Sequence, residues 1–177
     1  MTTVEVRRHS AYCQATKRLS RKGRALARSV GRSARPWDLV VCSPVVRARQ
    51  TAWLVSGGRG AAIEALAPAD ELILPVIPEP WLWGSFQENP PEVVREIGLR
   101  ALRGVEELID TAGAETVLVI THSGIVQSMG SAIRRSAEPG ADELLGFLEG
   151  FRMVSDGGWT LTDVLVVPSP SERPTDG

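Results

Sequence analysis

Leu39-Val40-Val41-Cys42 is apolar at every position and follows Trp37-Asp38 with no glycine or proline to interrupt it. A strand with one wet face alternates apolar and polar side chains. One that is apolar on both faces belongs in the middle of a parallel sheet covered by helices. Two other stretches read as strands: Val4-Glu5-Val6-Arg7-Arg8, which ends in His9-Ser10, and Thr116-Val117-Leu118-Val119-Ile120-Thr121, which runs into His122-Ser123-Gly124. Ala62-Ile63-Glu64-Ala65-Leu66 reads as a shorter one. Phe151–Ser155 and Trp159–Val167, joined by Asp156-Gly157-Gly158, form a hairpin that closes the sheet.

Helices fill the spaces between them. Ser20 is suited to cap a helix that runs to about Val30 and stops at Gly31. Ser43-Pro44 opens a second, with Pro44 in its first turn. Pro91 opens a third, in which Val94, Ile97, Ala101, Leu102 and Val105 recur at helical spacing and Gly113 is the stop. Gly124 to Ile133 and Ala141 to Leu148 read as two more. Strands alternating with helices predict an α/β fold: a three-layer α/β/α sandwich around a mostly parallel sheet.

With 177 residues, the chain is read as one domain over 1–167, large enough to bury roughly 70% of the surface its unfolded form exposes. Pro168 to Gly177 lacks large apolar side chains and is expected to be a disordered tail. Apolar runs are strand-sized, and the first residues lack the basic-then-apolar order of a signal peptide, so no membrane partner and a cytoplasmic location are expected. Ala67 to Pro90 is a long proline-rich connection. Its Trp81, Trp83 and Phe86 argue for an ordered, functional loop rather than a disordered one. Arg21, Arg24, Arg28, Arg32 and Arg35 recur three and four apart and form one stripe on the first helix. A solvated helix face explains the stripe. No nucleic-acid motif accompanies it, so a nucleic-acid partner is not expected.

Ligands of parallel sheets bind at the carboxyl ends of the strands. The chain's two histidines, His9 and His122, both follow strands, as does Ser43 just ahead of Arg47. A phosphoryl group at such a rim could be held by Arg8 and Arg47 through fork-like, charge-assisted hydrogen bonds. A neutral imidazole supplies a nucleophile near pH 7 and a second stabilises the developing charge, with no metal or other cofactor called for. Cys13 to Arg18 and Cys42 to Arg47 each have four residues between them, one short of the spacing of a cysteine-dependent phosphatase loop. Both cysteines are read as free thiols.

Arg8-His9-Ser10, Leu19-Ser20-Arg21-Lys22-Gly23, Ser43-Pro44-Val45-Val46-Arg47-Ala48-Arg49-Gln50-Thr51-Ala52 and Thr121-His122-Ser123-Gly124 stand in the order of the signature segments of the histidine phosphatase superfamily, and the chain resembles that family. The resemblance implies the phosphoglycerate-mutase-like fold, with His9 as the nucleophile that becomes phosphohistidine and Arg8, Arg47 and His122 completing the phosphate pocket. Ser10 stands where the family usually has glycine, Ser123 where glycine is frequent, and Ala15 where asparagine is often found.

Relatives that hydrolyse esters add a glutamate as general acid. Glu79, ahead of Trp81-Leu82-Trp83-Gly84, is the first candidate, Glu88 the second and Glu71 a more distant third. Ser10, Ser123 and Glu88 are further candidates for substrate contacts. The expected activity is metal-independent hydrolysis of phosphate monoesters, the substrate being a small phosphorylated molecule or a phosphoprotein. The short chain speaks against a phosphoglycerate mutase. The rivals are a small protein phosphohistidine phosphatase without the acid and, in another class, a non-catalytic binder that keeps the fold.

Overall fold

The computed structural model describes residues 1–34, 36–77, 79–87, 89–135 and 144–167. Among them, β1 (Thr2–Arg8), β2 (Leu39–Cys42), β3 (Ala61–Ala62), β4 (Thr116–Thr121), β5 (Arg134–Arg135), β6 (Gly150–Ser155) and β7 (Trp159–Leu165) form one sheet in the order β3-β2-β4-β1-β6-β7-β5. The four strands from β3 to β1 are parallel. β6 runs antiparallel to β1 and to β7, and β5 adds a parallel edge beside β7. Helices α1 (Arg21–Ser33), α2 (Val46–Ser56), α3 (Asp70–Ile73), α4 (Gly84–Gln87), α5 (Glu92–Ala112) and α6 (Ser123–Ser131) complete the layers.

Successive strand residues point to opposite faces, and β4 shows what that does to an all-apolar strand. Val117 and Val119 join Ile97, Ala101 and Val105 of α5 and Ile125 of α6 on one side. Leu118 and Ile120 join Ala27 of α1 and Ala48, Ala52 and Val55 of α2 on the other. From Val117 to Thr121 every residue of β4 is buried, as a central strand covered on both faces requires. The architecture is therefore the α/β/α sandwich that the alternation predicts.

Local signals also hold at several ends. Ser20 Oγ accepts the N–H of Gly23 at the start of α1. Gly57 and Gly113 end α2 and α5 in the left-handed conformation that glycine favours. The expected hairpin is β6–β7, with a register shift at Arg152/Met153.

Four expectations need correction. α1 does not stop at Gly31 but continues to Ser33. A Cβ at Gly31 would lie 2.6 Å from the carbonyl oxygen of Val55, so this glycine allows α1 to cross α2 at close range. Pro44 precedes the cap residue Val45 instead of sitting in the first turn of α2. Ala62–Leu66 is not a strand throughout. β3 ends at Ala62 and Glu64–Leu66 form a 3-10 turn that buries Leu66 fully. The helix expected over Ala141–Leu148 lies outside the described residues for its first three positions, and 144–148 carry no helix. The tail from Pro168 and Arg35 of the stripe also lie outside the described residues.

The proline-rich connection is packed, as its aromatics suggest. Trp81, Trp83 and Phe86 are buried, the Trp81 indole N–H donates to the Ile77 carbonyl, and the Gln127 amide Nε2 donates to the Trp81 carbonyl. A Cβ at Gly124 would lie 2.8 Å from Ile73 and 2.9 Å from the Trp81 ring, so the glycine after Ser123 lets this loop seat on α6.

Gly31→Val is expected to cost about 2 kcal/mol through overpacking at the α1–α2 crossing. Urea unfolding checks this; an unchanged midpoint would show that the crossing has slack.

Candidate active site

β1, β4 and β2 lie side by side and end at the same level. Arg8 pairs with Thr121, and Cys42 pairs with Ile120. The backbone bonds carry this alignment one residue further: His9 N–H donates to Thr121 O at 2.8 Å, and Ser43 N–H donates to Ile120 O at 2.9 Å. Three adjacent strand ends thus deliver Arg8-His9, His122 and Ser43 to one rim. The His9 and His122 ring centroids are 5.1 Å apart.

Arg47, from the first turn of α2, joins them. Its Nε donates to His9 Nε2 at 2.9 Å and its Nη2 lies 3.2 Å from His122 Nδ1. An arginine has no acceptor, so both of these ring nitrogens must be unprotonated. The protons then sit on the opposite nitrogens. His9 Nδ1–H donates to Ser10 O at 2.9 Å, and His122 Nε2–H donates to Ser43 Oγ at 2.8 Å. His9 therefore presents a lone pair on Nε2 towards Arg47.

Both imidazoles are strongly held in the neutral form. Burial, followed by the charges of Arg47 and Arg8, pushes His9 down from 6.5 to about 4. His122 is lowered further, by burial first and then by His9, Arg47 and Arg8.

Arg8 closes another side. Its guanidinium lies 4.5 Å from the centre of the Phe147 ring and donates to Leu145 O. Its Nε is buried without a partner among the described residues, and burial lowers its pKa. Such a donor is costly to leave unpaired, which suits an anion beside it. Arg47 stacks on Tyr12, 4.8 Å from the ring centre.

The signature residues around these groups hold the frame. Thr51 Oγ1 accepts the N–H of Ser10 and donates to Arg47 O, while Gln50 Oε1 accepts the N–H of Leu19. Ser10 itself is fully buried and its hydroxyl donates to Gly23 O at 2.8 Å. The side chain that replaces the usual glycine is thus directed to α1 and does not narrow the pocket.

Next to Arg8 opens a cavity of about 540 Å³, lined by Arg8, Glu79, Pro80, Trp81, Ser123, Leu144 and Leu145. Glu79 and Ser123 are therefore at the site. Glu88 lies outside the described residues. Glu71 is exposed on α3.

Sequence reasoning missed Asp70, Tyr12 and Phe147. Asp70 begins α3 within electrostatic reach of both Arg47 and Glu79, and burial raises its pKa despite its exposed surface. Its place beside Glu71 on a proline-rich connection was the only available signal. Tyr12 and Phe147 come from segments without a recognisable motif. Chemically, the assembly offers an unprotonated nucleophilic nitrogen, two guanidinium groups, a second imidazole and two nearby carboxylates.

A profile described as the histidine phosphatase superfamily (branch 1) matches residues 3–141. Solved structures share the fold at low identity. YhfR of Bacillus stearothermophilus is 23% identical with a TM-score of 0.63, covering 91% of this chain and 94% of its own. A phosphoserine phosphatase of Entamoeba histolytica, solved with 3-phosphoglyceric acid, is 16% identical at 0.67, covering 94% and 98%. A mycobacterial glucosyl-3-phosphoglycerate phosphatase solved with VO3 is 18% identical at 0.63, covering 91% and 97%. No curated protein matches the chain. Among the described residues, no helix is long and apolar enough to cross a membrane.

The neutral histidines make stability depend on pH. His9 has a folded pKa below its unfolded value, so the unfolded chain binds more protons and stability falls as pH drops from about 6.5 towards 4. Between pH 7 and pH 5 His9 alone should remove roughly 2 kcal/mol. Urea midpoints for wild type and His9→Ala check this: the variant should lose less stability on acidification, and equal losses would contradict the assignment.

Proposed function

The chain belongs to the histidine phosphatase superfamily, and from that premise we propose that it hydrolyses phosphate monoesters through a phosphohistidine on His9. The observation that carries this reading is the Arg47 guanidinium bridging the unprotonated Nε2 of His9 and Nδ1 of His122. A phosphate dianion entering the rim takes over those donors, together with the unpaired Nε of Arg8. His9 Nε2 is then free to face phosphorus.

In the first step the His9 Nε2 lone pair forms a bond to phosphorus as the bond to the leaving oxygen breaks. The Ser10 carbonyl supports the positive charge that develops on the ring through the Nδ1–H bond. Charge on the transferring oxygens is met by Arg8, Arg47 and His122. The leaving oxygen departs towards the cavity beside Arg8, where Glu79 supplies its proton. Asp70 is a second donor, since its raised pKa favours the protonated form. In the second step water attacks phosphorus, the deprotonated carboxylate accepts its proton, and His9 is released with inorganic phosphate.

The cavity that receives the leaving group has apolar walls in Pro80, Trp81, Leu144 and Leu145. This supports a small ester with an apolar body, and an aryl phosphate is a suitable first substrate.

Purified protein is expected to release phosphate from an aryl phosphate without added metal, and His9→Ala should reduce kcat by at least about a thousandfold. Glu79→Gln and Asp70→Asn separate the two proton donors; the residue that acts should lose on the order of 10²–10⁴-fold in kcat. If both variants hydrolyse esters like wild type while phosphohistidine peptides are cleaved faster, the reading as a protein phosphohistidine phosphatase replaces this one.

A further inference from the structure

We propose a second ligand site, separate from the catalytic rim, that binds a nucleoside diphosphate on the outer side of α2. A cavity of about 480 Å³ opens there, and Arg24, Cys42, Arg49, Trp53, Leu54 and Arg59 are among the residues that line it. None of the residues lining it borders the cavity beside Arg8. α2 thus serves two sites, with Arg47 directed to the histidines and Arg49 and Trp53 to this groove.

Trp53 is the first reason. Its side chain is 62% exposed, an unusual cost for so large an apolar ring in the absence of a partner. It is nevertheless held from one side. The N–H of Gly57 and of Gly58 both reach the Trp53 carbonyl, and Gly58 is placed so that a Cβ on it would lie 3.5 Å from the indole. The ring therefore has Gly58 at one side and an open surface, the kind of group on which a base stacks.

The charge is the second reason. Arg24, Arg49 and Arg59 converge on the cavity, and among the described residues no acid lines it. Among the described residues, the ion pairs within 4.0 Å involve none of these three arginines. Arg24 spends one nitrogen on Leu19 O, and Asp38 acts on Arg59 only from a greater distance. Three guanidinium groups complement the charge of a diphosphate, which accepts fork-like bonds from each. Leu54 and the buried Cys42 give the groove an apolar floor. An open ring, an apolar floor and three cations with no ion-pair partner among the described residues describe a base joined to two phosphates better than a free phosphate or an isolated ring.

The test is calorimetric titration of the wild-type protein with α,β-methylene-ADP, whose bridging carbon resists hydrolysis. Saturable binding is expected, with affinity at least tenfold lower in Trp53→Ala and in Arg49→Ser/Arg59→Ser. Arg8→Ala should bind as wild type does, and Trp53→Phe should stay within threefold. The double arginine variant changes exposed residues only, so it remains decisive if Trp53→Ala fails to fold. No saturation at millimolar nucleotide overturns the proposal. So does a loss in Arg8→Ala equal to that in Trp53→Ala, which would put the nucleotide in the catalytic pocket. Adenosine or methylene diphosphonate binding as tightly as the whole molecule, or a single-stranded oligonucleotide binding tenfold tighter, overturns it as well. The readout is binding, so it is independent of whether aryl phosphate is hydrolysed.

Discussion

The parallel pairing of β1 with β4 is the constraint from which the rest of the site follows. Arg8 stands opposite Thr121, so the residues that come next, His9 and His122, leave the sheet together. The His9 N–H bond to Thr121 O prolongs the ladder by one step and prevents the two chains from diverging before the imidazoles are placed. A slip of one residue would turn one histidine to the opposite face. The buried, two-sided apolar character of β4 is what resists such a slip, since Val117 and Val119 would exchange clusters with Leu118 and Ile120.

On that frame Arg47 performs two electrostatic tasks. Its hydrogen bonds select the tautomer of each histidine, and its charge helps to keep both rings neutral. Both rings are thus in the neutral form that the proposed role of His9 as nucleophile needs. Where a dianion binds, its charge opposes that of the arginines, and protonation of His122 becomes less costly. The same groups can therefore favour a neutral nucleophile before binding and a cationic partner once negative charge has arrived.

Much of this was legible in the sequence because it is local. Val117–Ile120 announces a buried strand, Ser20 a cap and Gly113 a stop, each through neighbours within a few positions. That Arg8, His9, Arg47 and His122 come together was legible through their motifs and through the strands that end just before His9, His122 and Ser43. What was hidden depends on contacts distant in sequence. Gly31 looks like a helix stop until Val55 is placed against it. Ser10 looks like a residue facing phosphate until Gly23 takes its hydroxyl. Leu66 continues an apolar pattern, but its burial and the bond from Thr121 Oγ1 to its carbonyl suit a turn rather than a strand.

Asp70 is the most instructive case, because the family pattern pointed to glutamates near an aromatic-glycine step and passed over it. A general acid is chosen by reach and by pKa, and neither is written in the chain. Asp70 feels Arg47, which favours its charged form, and Glu79, which opposes it, while burial opposes it most. The charge of Glu79 thus adds to burial in favouring a proton on Asp70. Glu79 lines the cavity beside Arg8, and Asp70 begins α3. On the proposed path the proton for the leaving oxygen comes from one end or the other of the connection that joins Asp70 to Glu79.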